Sequence, residues 1–291
     1  MATQTDSGAS TTGGRPEAIT GTVAGGAGKL FYRFQPVDDA VAVAVIVHGL
    51  AEHSGRYQHV MAALADARVA SLALDLRGHG RSDGTRVFVE RFGDYADDAN
   101  RALQKARELA PGLPVFLIGH SMGGLTAVIT ALDHGDGLTG LVLSSPGLKN
   151  AIKVPAWKDA LGKLMARLIP KLAIPTGLPA AWVSRDPAVV AAYEADPLVT
   201  NKATARWYAE FLGAQERARA EAGRITMPTL ILTAGKDKLI DPGAQRELFE
   251  TLGSRDKEHI PYPELYHEVF NEPEQAAVLA DLVRWLTAHV G

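Results

Sequence analysis

The chain has 291 residues, no cysteine, 46% apolar and 22% charged side chains, and a formal net charge of −3. These are ordinary values for a soluble globular protein with room for one large domain or two small ones. They exclude disulfides, thiolate metal sites and a cysteine nucleophile, and a faintly acidic chain has no general attraction for nucleic acid.

Residues 1–18 are small and polar, so a disordered N-terminal tail is expected there. They lack the apolar core of an export signal, which points to a cytoplasmic protein. The longest apolar run, residues 40–47, is far too short to cross a bilayer. Residues 19–23 and 29–35 read as a hairpin around Gly25 and Gly26. Residues 41–47 form a continuous β-branched, apolar run, typical of a strand buried on both faces. After it Ser54 can cap a helix through Ala67. Residues 70–74 are the next buried strand, residues 92–109 a helix, 115–118 a strand and 140–143 another. Buried strand alternating with helix is the pattern of a doubly wound, mostly parallel α/β sheet. Across residues 146–226 apolar strands disappear, and prolines 155, 170, 175, 179, 187 and 197 are expected to cut the segment into short helices. Alternation then resumes with a strand at 229–233, a helix at 242–252, a weak strand at 257–262 and a last helix at 273–289. The division expected is a core of 19–145 and 227–291 with a helical insertion at 146–226.

One stretch carries the chemistry. Gly119-His120-Ser121-Met122-Gly123 spells G-x-S-x-G between a buried strand and a segment of helical period. In that context the pattern is a nucleophile elbow, a tight turn that exposes a serine hydroxyl at a strand end. The chain passes so close to itself there that a side chain at Gly119 or Gly123 would clash. Gly80-Arg81-Ser82-Asp83-Gly84 repeats the pattern after another strand, but a β-branched and aromatic run follows it, with no helical period. Ser121 is therefore the expected nucleophile and Ser82 is not.

A serine hydroxyl needs a base within hydrogen-bond reach, and the base needs an orienting acid. If the elbow belongs to an α/β-hydrolase fold, the chain order is Ser, acid, His, and site residues lie just beyond strand C-termini. His267 lies just past the strand at 257–262, whereas His259 lies within it and His289 ends a helix. Asp237 follows the strand at 229–233; Asp241 precedes Pro242 and more simply caps the next helix. The second requirement is a pair of donors for the developing oxyanion. Met122 N–H is one and Leu50 N–H, after His48-Gly49, is the other, with His48 in a supporting structural role. No metal-ligand spacing occurs, and no G-x-G-x-x-G opens a helix, so neither metal nor nucleotide cofactor is expected.

Four stretches make the chain similar to bacterial monoacylglycerol lipases of the α/β-hydrolase superfamily. They are His48-Gly49-Leu50-Ala51-Glu52-His53-Ser54-Gly55-Arg56-Tyr57, residues 75–84, Gly119-His120-Ser121-Met122-Gly123-Gly124, and residues 262–272. The resemblance implies the α/β-hydrolase fold and the triad Ser121, Asp237 and His267. It also implies an oxyanion hole of Leu50 and Met122, and residues 146–226 as a cap over an acyl tunnel. It implies hydrolysis of monoacylglycerol to fatty acid and glycerol without a cofactor. It further suggests Tyr193, in Ala192-Tyr193-Glu194-Ala195-Asp196-Pro197, as a polar contact near the glycerol. The nearest alternatives with this triad are a lysophospholipase and a broad carboxylesterase; other chemistries on the fold, and a binding protein, stand further off. In the insertion, Trp157, Leu161, Leu164, Leu168 and Leu172 recur at spacings of three and four, flanked by Lys158, Lys163, Arg167 and Lys171. Such a stripe suits either peripheral docking on a membrane or packing down onto the acyl tunnel.

Overall fold

A computed structural model describes residues 17–152 and 154–290. The expected disordered tail therefore lies, up to residue 16, outside the described residues, and Glu17 and Ala18 are exposed and without regular structure. Strands β1 (Ile19–Gly25) and β2 (Gly28–Gln35) form the hairpin, in register Ile19↔Phe34. Next come β3 (Ala42–Val47), α1 (Gln58–Asp66), β4 (Val69–Leu74), α2 (Gly93–Leu109), β5 (Val115–His120), α3 (Met122–His134) and β6 (Gly140–Ser144). The chain then leaves the sheet for α4 (Ala156–Leu168), β7 (Ala173–Pro175), α5 (Pro187–Ala195), β8 (Lys202–Thr204) and α6 (Ala205–Glu221). It returns through β9 (Thr229–Ala234), α7 (Pro242–Thr251), β10 (Lys257–Tyr262) and α8 (Gln275–Ala288).

The main sheet has 8 strands in the order β1-β2-β4-β3-β5-β6-β9-β10. From β4 to β10 every neighbour is parallel, and β1 and β2 are antiparallel additions at one edge. The residues of β3 show why an unbroken apolar run is needed. Val43, Val45 and Val47 face a core shared with α2 and α3, while Ala42, Ala44 and Ile46 face another shared with α1 and α8. Burying a valine- or isoleucine-sized side chain is worth about 1.5–3 kcal/mol, so both faces of this strand hold the sheet between its helix layers. The chain runs from β3 to β4 on one side and to β5 on the other. Neighbouring connections diverge at that point and leave a crevice at the strand C-termini, the standard ligand position in such sheets.

Two expectations need correction. Ser54 does not cap α1. Residues Ser54–Tyr57 form a single 3-10 turn whose first amides are served by His53, whose Nδ1 accepts from Gly55 N–H, and α1 begins only at Gln58. Nor is the insertion made only of short helices. The prolines do punctuate α4 and α5, but none falls between 197 and 228, and α6 runs 17 residues without a break. A small antiparallel pair, β7 with β8, also joins residues too few in number for any pattern to show.

The insertion is fastened unevenly. On the α5 side, His53 Nε2–H donates to Asp196 at 2.8 Å, Thr200 N–H to Ala51 O at 3.1 Å and Glu268 N–H to Val183 O at 2.8 Å. Arg185 also forms an ion pair with Glu272. On the other side α4 buries a single residue, Ala166, and meets α6, itself part of the insertion, through Tyr208 and Asp159 at 3.4 Å.

Candidate active site

Strand β5 delivers Ser121 to the crevice in a left-handed conformation, φ 54° and ψ −119°. A β-carbon on Gly119 would stand 2.3 Å from Gly123 O, and one on Gly123 would stand 2.2 Å from Val47 O. Those distances exclude any side chain at either position without a shift of backbone. Neighbours pin the strained residue: Ser121 N–H donates to Ser144 O at 2.9 Å, and Gly147 N–H to Ser121 O at 2.8 Å.

His267, in the loop after β10, sets Nε2 2.8 Å from Ser121 Oγ and Nδ1 2.7 Å from Asp237 Oδ2. Asp237, after β9, is fixed in turn by amides of Leu239 at 2.8 Å and Ile240 at 3.0 Å, both donating to Oδ1. The three residues expected from sequence thus form one hydrogen-bonded chain from three separate strand ends. The ring proton on Nδ1 goes to Asp237, which leaves Nε2 as the acceptor for the serine hydroxyl. Burial opposes a charged His267, but Asp237, then Glu268 and Glu52, outweigh it and raise its pKa above the ordinary 6.5. The runners-up lie elsewhere. Asp241 caps α7 through Gly243 N–H at 2.9 Å, His259 pairs with Thr233, and His289 with Asp256 and Trp285 O. Ser82 donates its hydroxyl to Asp75 O at 2.5 Å and accepts from Phe31 N–H at 2.8 Å.

Leu50 and Met122 both line the cavity beside Ser121. The peptide between Gly49 and Leu50 is gripped from behind. His48 is fully buried, and its Nε2 accepts from Leu76 N–H at 3.0 Å, so Nδ1 carries the proton and donates to Gly49 O at 2.7 Å. In a trans peptide the carbonyl and the following N–H point opposite ways, so holding Gly49 O back aims Leu50 N–H forward. Burial lowers the His48 pKa and keeps the ring neutral, the form this pair of bonds requires. Glu52 completes the grip: Oε1 accepts Gly49 N–H at 2.6 Å and the Tyr57 hydroxyl at 2.7 Å.

Glu52 also belongs to a buried network that sequence reasoning did not assign. Arg56 Nη1 donates to Glu52 Oε2 at 2.6 Å, and the same guanidinium forks onto Glu268 with two bonds of 2.7 Å. Burial opposes the Glu52 charge, but the Arg56 guanidinium beside it holds its carboxyl below the usual range. Tyr193 lies with its ring centroid 4.8 Å from the Arg56 guanidinium carbon. The signal for Glu52 and Arg56 was present in the stretch 48–57, but nothing in it announced a partner 212 positions away.

These groups open on a cavity of about 1210 Å³. Its lining mixes apolar residues, among them Leu178, Val183, Trp207, Phe211, Leu239 and Ile240, with Glu52, Tyr193 and Glu268 gathered around Arg56 and with Glu194 and Asp196. Among the described residues no cluster of side chains could hold a metal ion, and no helix is long and apolar enough to cross a membrane.

A strained serine joined through histidine to a buried aspartate, at the crevice of a parallel sheet, is the arrangement of a serine hydrolase. A family model described as Serine aminopeptidase, S33 matches residues 38–274. The chain belongs to that family. It is 37% identical over 267 residues to a monoacylglycerol lipase of Mycolicibacterium smegmatis, covering 91% of this chain and 95% of the relative. It is 35% identical to the phospholipase YtpA of Bacillus subtilis, covering 83% of this chain and 93% of the relative. Among solved structures, a monoacylglycerol lipase of Paleococcus ferrophilus superposes with a TM-score of 0.81 at 32% identity, covering 94% of this chain and 100% of that one. The fold is that of an α/β-hydrolase, as the resemblance implied.

Proposed function

We propose that this chain is a serine ester hydrolase that cleaves monoacylglycerol to fatty acid and glycerol. The observation that carries the reading is the Ser121–His267–Asp237 chain, set in a cavity lined by both apolar side chains and a polar cluster around Arg56. An acyl chain suits the apolar lining and a polyol the polar cluster. In the proposed reaction Ser121 attacks the ester carbonyl while His267 takes its proton, and the amides of Leu50 and Met122 receive the oxyanion. His267 then protonates the departing glycerol, and water repeats the cycle on the acyl-enzyme. Asp237 keeps the imidazole in its productive tautomer. Residues 146–226 act as the cap, and Tyr193 contributes a polar wall on the glycerol side. The names of the Mycolicibacterium and Paleococcus relatives support the substrate class; the Bacillus relative is named a phospholipase, and the lysophospholipase alternative is the one to test. Initial rates on monoacylglycerol, the lysophospholipid of the same acyl chain and a short aryl ester, measured side by side, decide between them. Preference for monoacylglycerol is expected, and preference for lysophospholipid removes the reading.

Peripheral docking of the cap on a lipid surface is part of the proposal. Trp157, Leu161, Leu164 and Leu168 are 66%, 48%, 49% and 65% exposed, which argues against the stripe packing down onto the tunnel. The cations beside it are partly engaged: Lys163 pairs with Asp159 at 2.9 Å, and Lys171 stands 5.2 Å from the Phe88 ring centroid. Apolar insertion should therefore matter more than anionic charge, and added salt should weaken docking only modestly. Replacing Leu161 and Leu164 by serine is expected to cut hydrolysis of vesicle-borne monoacylglycerol about tenfold relative to a soluble short-chain ester. Equal losses on both substrates, with vesicle flotation unchanged, remove the docking idea.

A further inference from the structure

The polar wing of the cavity, meaning the carboxylates of its lining around Arg56, has an unusual balance of charge. Glu52, Glu194, Asp196 and Glu268 line it, and the guanidinium behind it, Arg56, is already engaged by two of them. Its side chain is 11% exposed, and its flat face lies against the Tyr193 ring. One positive charge between two carboxylates leaves a negative remainder. Asp196 is paired with His53 at 2.8 Å, while Glu194 is exposed. The lysines of the lining, Lys158 and Lys202, are exposed residues of α4 and β8 in the cap.

The leaving alcohol must pass beside His267, which lines the same cavity as these carboxylates. It takes its proton from His267 Nε2, so its oxygen has to lie against that ring. The next residue along the chain is Glu268, held within the network by the Arg56 fork and by Asn271 Nδ2–H at 2.9 Å. Carboxylate oxygens accept hydrogen bonds, and a polyol supplies hydroxyl donors without charge. A phosphate-bearing alcohol would instead bring negative charge into a partly desolvated, already negative wing, with its guanidinium taken.

We propose that Glu268 sets the charge class of the leaving group, admitting neutral polyols and rejecting alcohols that carry phosphate or carboxylate. This deepens the ester-hydrolase reading above and rests on it. Glu268 is the member of the network to test, because Glu52 also holds Gly49 N–H and so supports the oxyanion peptide. Glu268 acts on specificity by saturating Arg56 and adding its own charge. Its effect is therefore read in how a variant changes the ratio between a charged and a neutral substrate, so that intrinsic differences in size and leaving-group acidity cancel.

Two such pairs are used on the full chain. The first is 1-lauroylglycerol and 1-lauroylglycerol 3-phosphate, presented in the same neutral detergent micelles. The second is the butyrate ester of 4-hydroxybenzoate and that of its methyl ester, which are soluble and need no lipid site. The wild type should favour the neutral member of each pair by about tenfold or more in kcat/KM, a typical scale for one like-charge contact in a partly buried site. Glu268→Gln should shrink both preferences by about tenfold, whatever it does to the absolute rates, and should move the acid limb of the pH profile to lower pH. Glu268→Ala is the second variant, expected to act in the same direction. Equal wild-type rates on charged and neutral members overturn the proposal, as does a ratio that neither variant moves. Failure of the substrate reading looks different: lauroylglycerol is then a poor substrate, while the aryl pair still discriminates and still responds to Glu268.

Discussion

Residues 80–84 and 119–123 spell the same G-x-S-x-G, and each follows a strand buried along its whole length. In the first turn the left-handed conformations fall on glycines, φ +49° at Gly80 and +113° at Gly84. In the second, the serine itself takes one, at φ 54°. Glycine adopts such angles freely, whereas a serine there costs of order 1–3 kcal/mol. The first turn accordingly buys rigidity: Ser82 ties β2 to the loop after β4, and Asp75 Oδ1 and Oδ2 accept from Ser54 and Arg81 N–H at 2.7 and 2.8 Å. The second turn holds its serine in strain so that Oγ reaches His267. Where the strain sits, rather than the letters of the motif, separates the braced serine from the proposed nucleophile.

The comparison can be broken most sharply by removing each hydroxyl. Ser121→Ala is expected to lose about 10⁴-fold or more in kcat and all labelling by an active-site fluorophosphonate, whereas Ser82→Ala keeps the label at Ser121. A label found on Ser82 in the wild type would reverse the two assignments. Next in size is the crowding around each turn. Gly123→Ala drives a β-carbon against Val47 O and should cost about 3 kcal/mol or more in urea titrations. Gly84→Ala meets nothing closer than Gly78 N at 3.0 Å, so chiefly its φ is penalised, at about 1–2 kcal/mol. Equal costs would mean that the elbow is no tighter than its twin. Ser82→Ala should lose about 1–2 kcal/mol of stability through its two backbone bonds, while Ser121→Ala leaves the urea midpoint nearly unchanged. The smallest effect is a shift in pH. His267 must be neutral to accept the serine proton, and its pKa is raised, so activity should fall as pH drops through a value above 6.5. A limb below 6.5 would mean that Asp237, Glu268 and Glu52 do not act on the ring as their positions require.

Much of this was legible before any coordinate. Strands β3, β4, β5, β6 and β9 carry apolar runs because both faces are covered, and a run of that kind has few other readings. Ser121, Asp237 and His267 could be found because each sits just beyond a strand, and the sheet gathers strand ends. The Arg56 fork could not, since a charged residue in a loop reads as solvated until its partner is known. The 3-10 turn at Ser54–Tyr57 was missed because serine is a preferred cap and histidine is not, yet His53 is the residue whose side chain caps the turn. The β7–β8 pair joins two three-residue strands, shorter than any periodicity can register. As for α6, the prolines counted across the insertion all precede it.

The uneven fastening of the insertion has a consequence for how this molecule loosens as it is warmed. The amides of α4 are held by their own helix and by contacts within the insertion, so they belong to the weakest cooperative unit of the fold. The loop 48–57 is tied to Asp196 and Thr200 and to Leu76 just beyond β4, and Val183 is tied to Glu268 beyond β10. In native-state hydrogen exchange, residues 156–168 should trade deuterium many times faster than residues 115–130. Moderate heat should therefore melt the doorway before it reaches the chemistry. In that interval the enzyme would still cleave small soluble esters while losing its grip on long-chain ones.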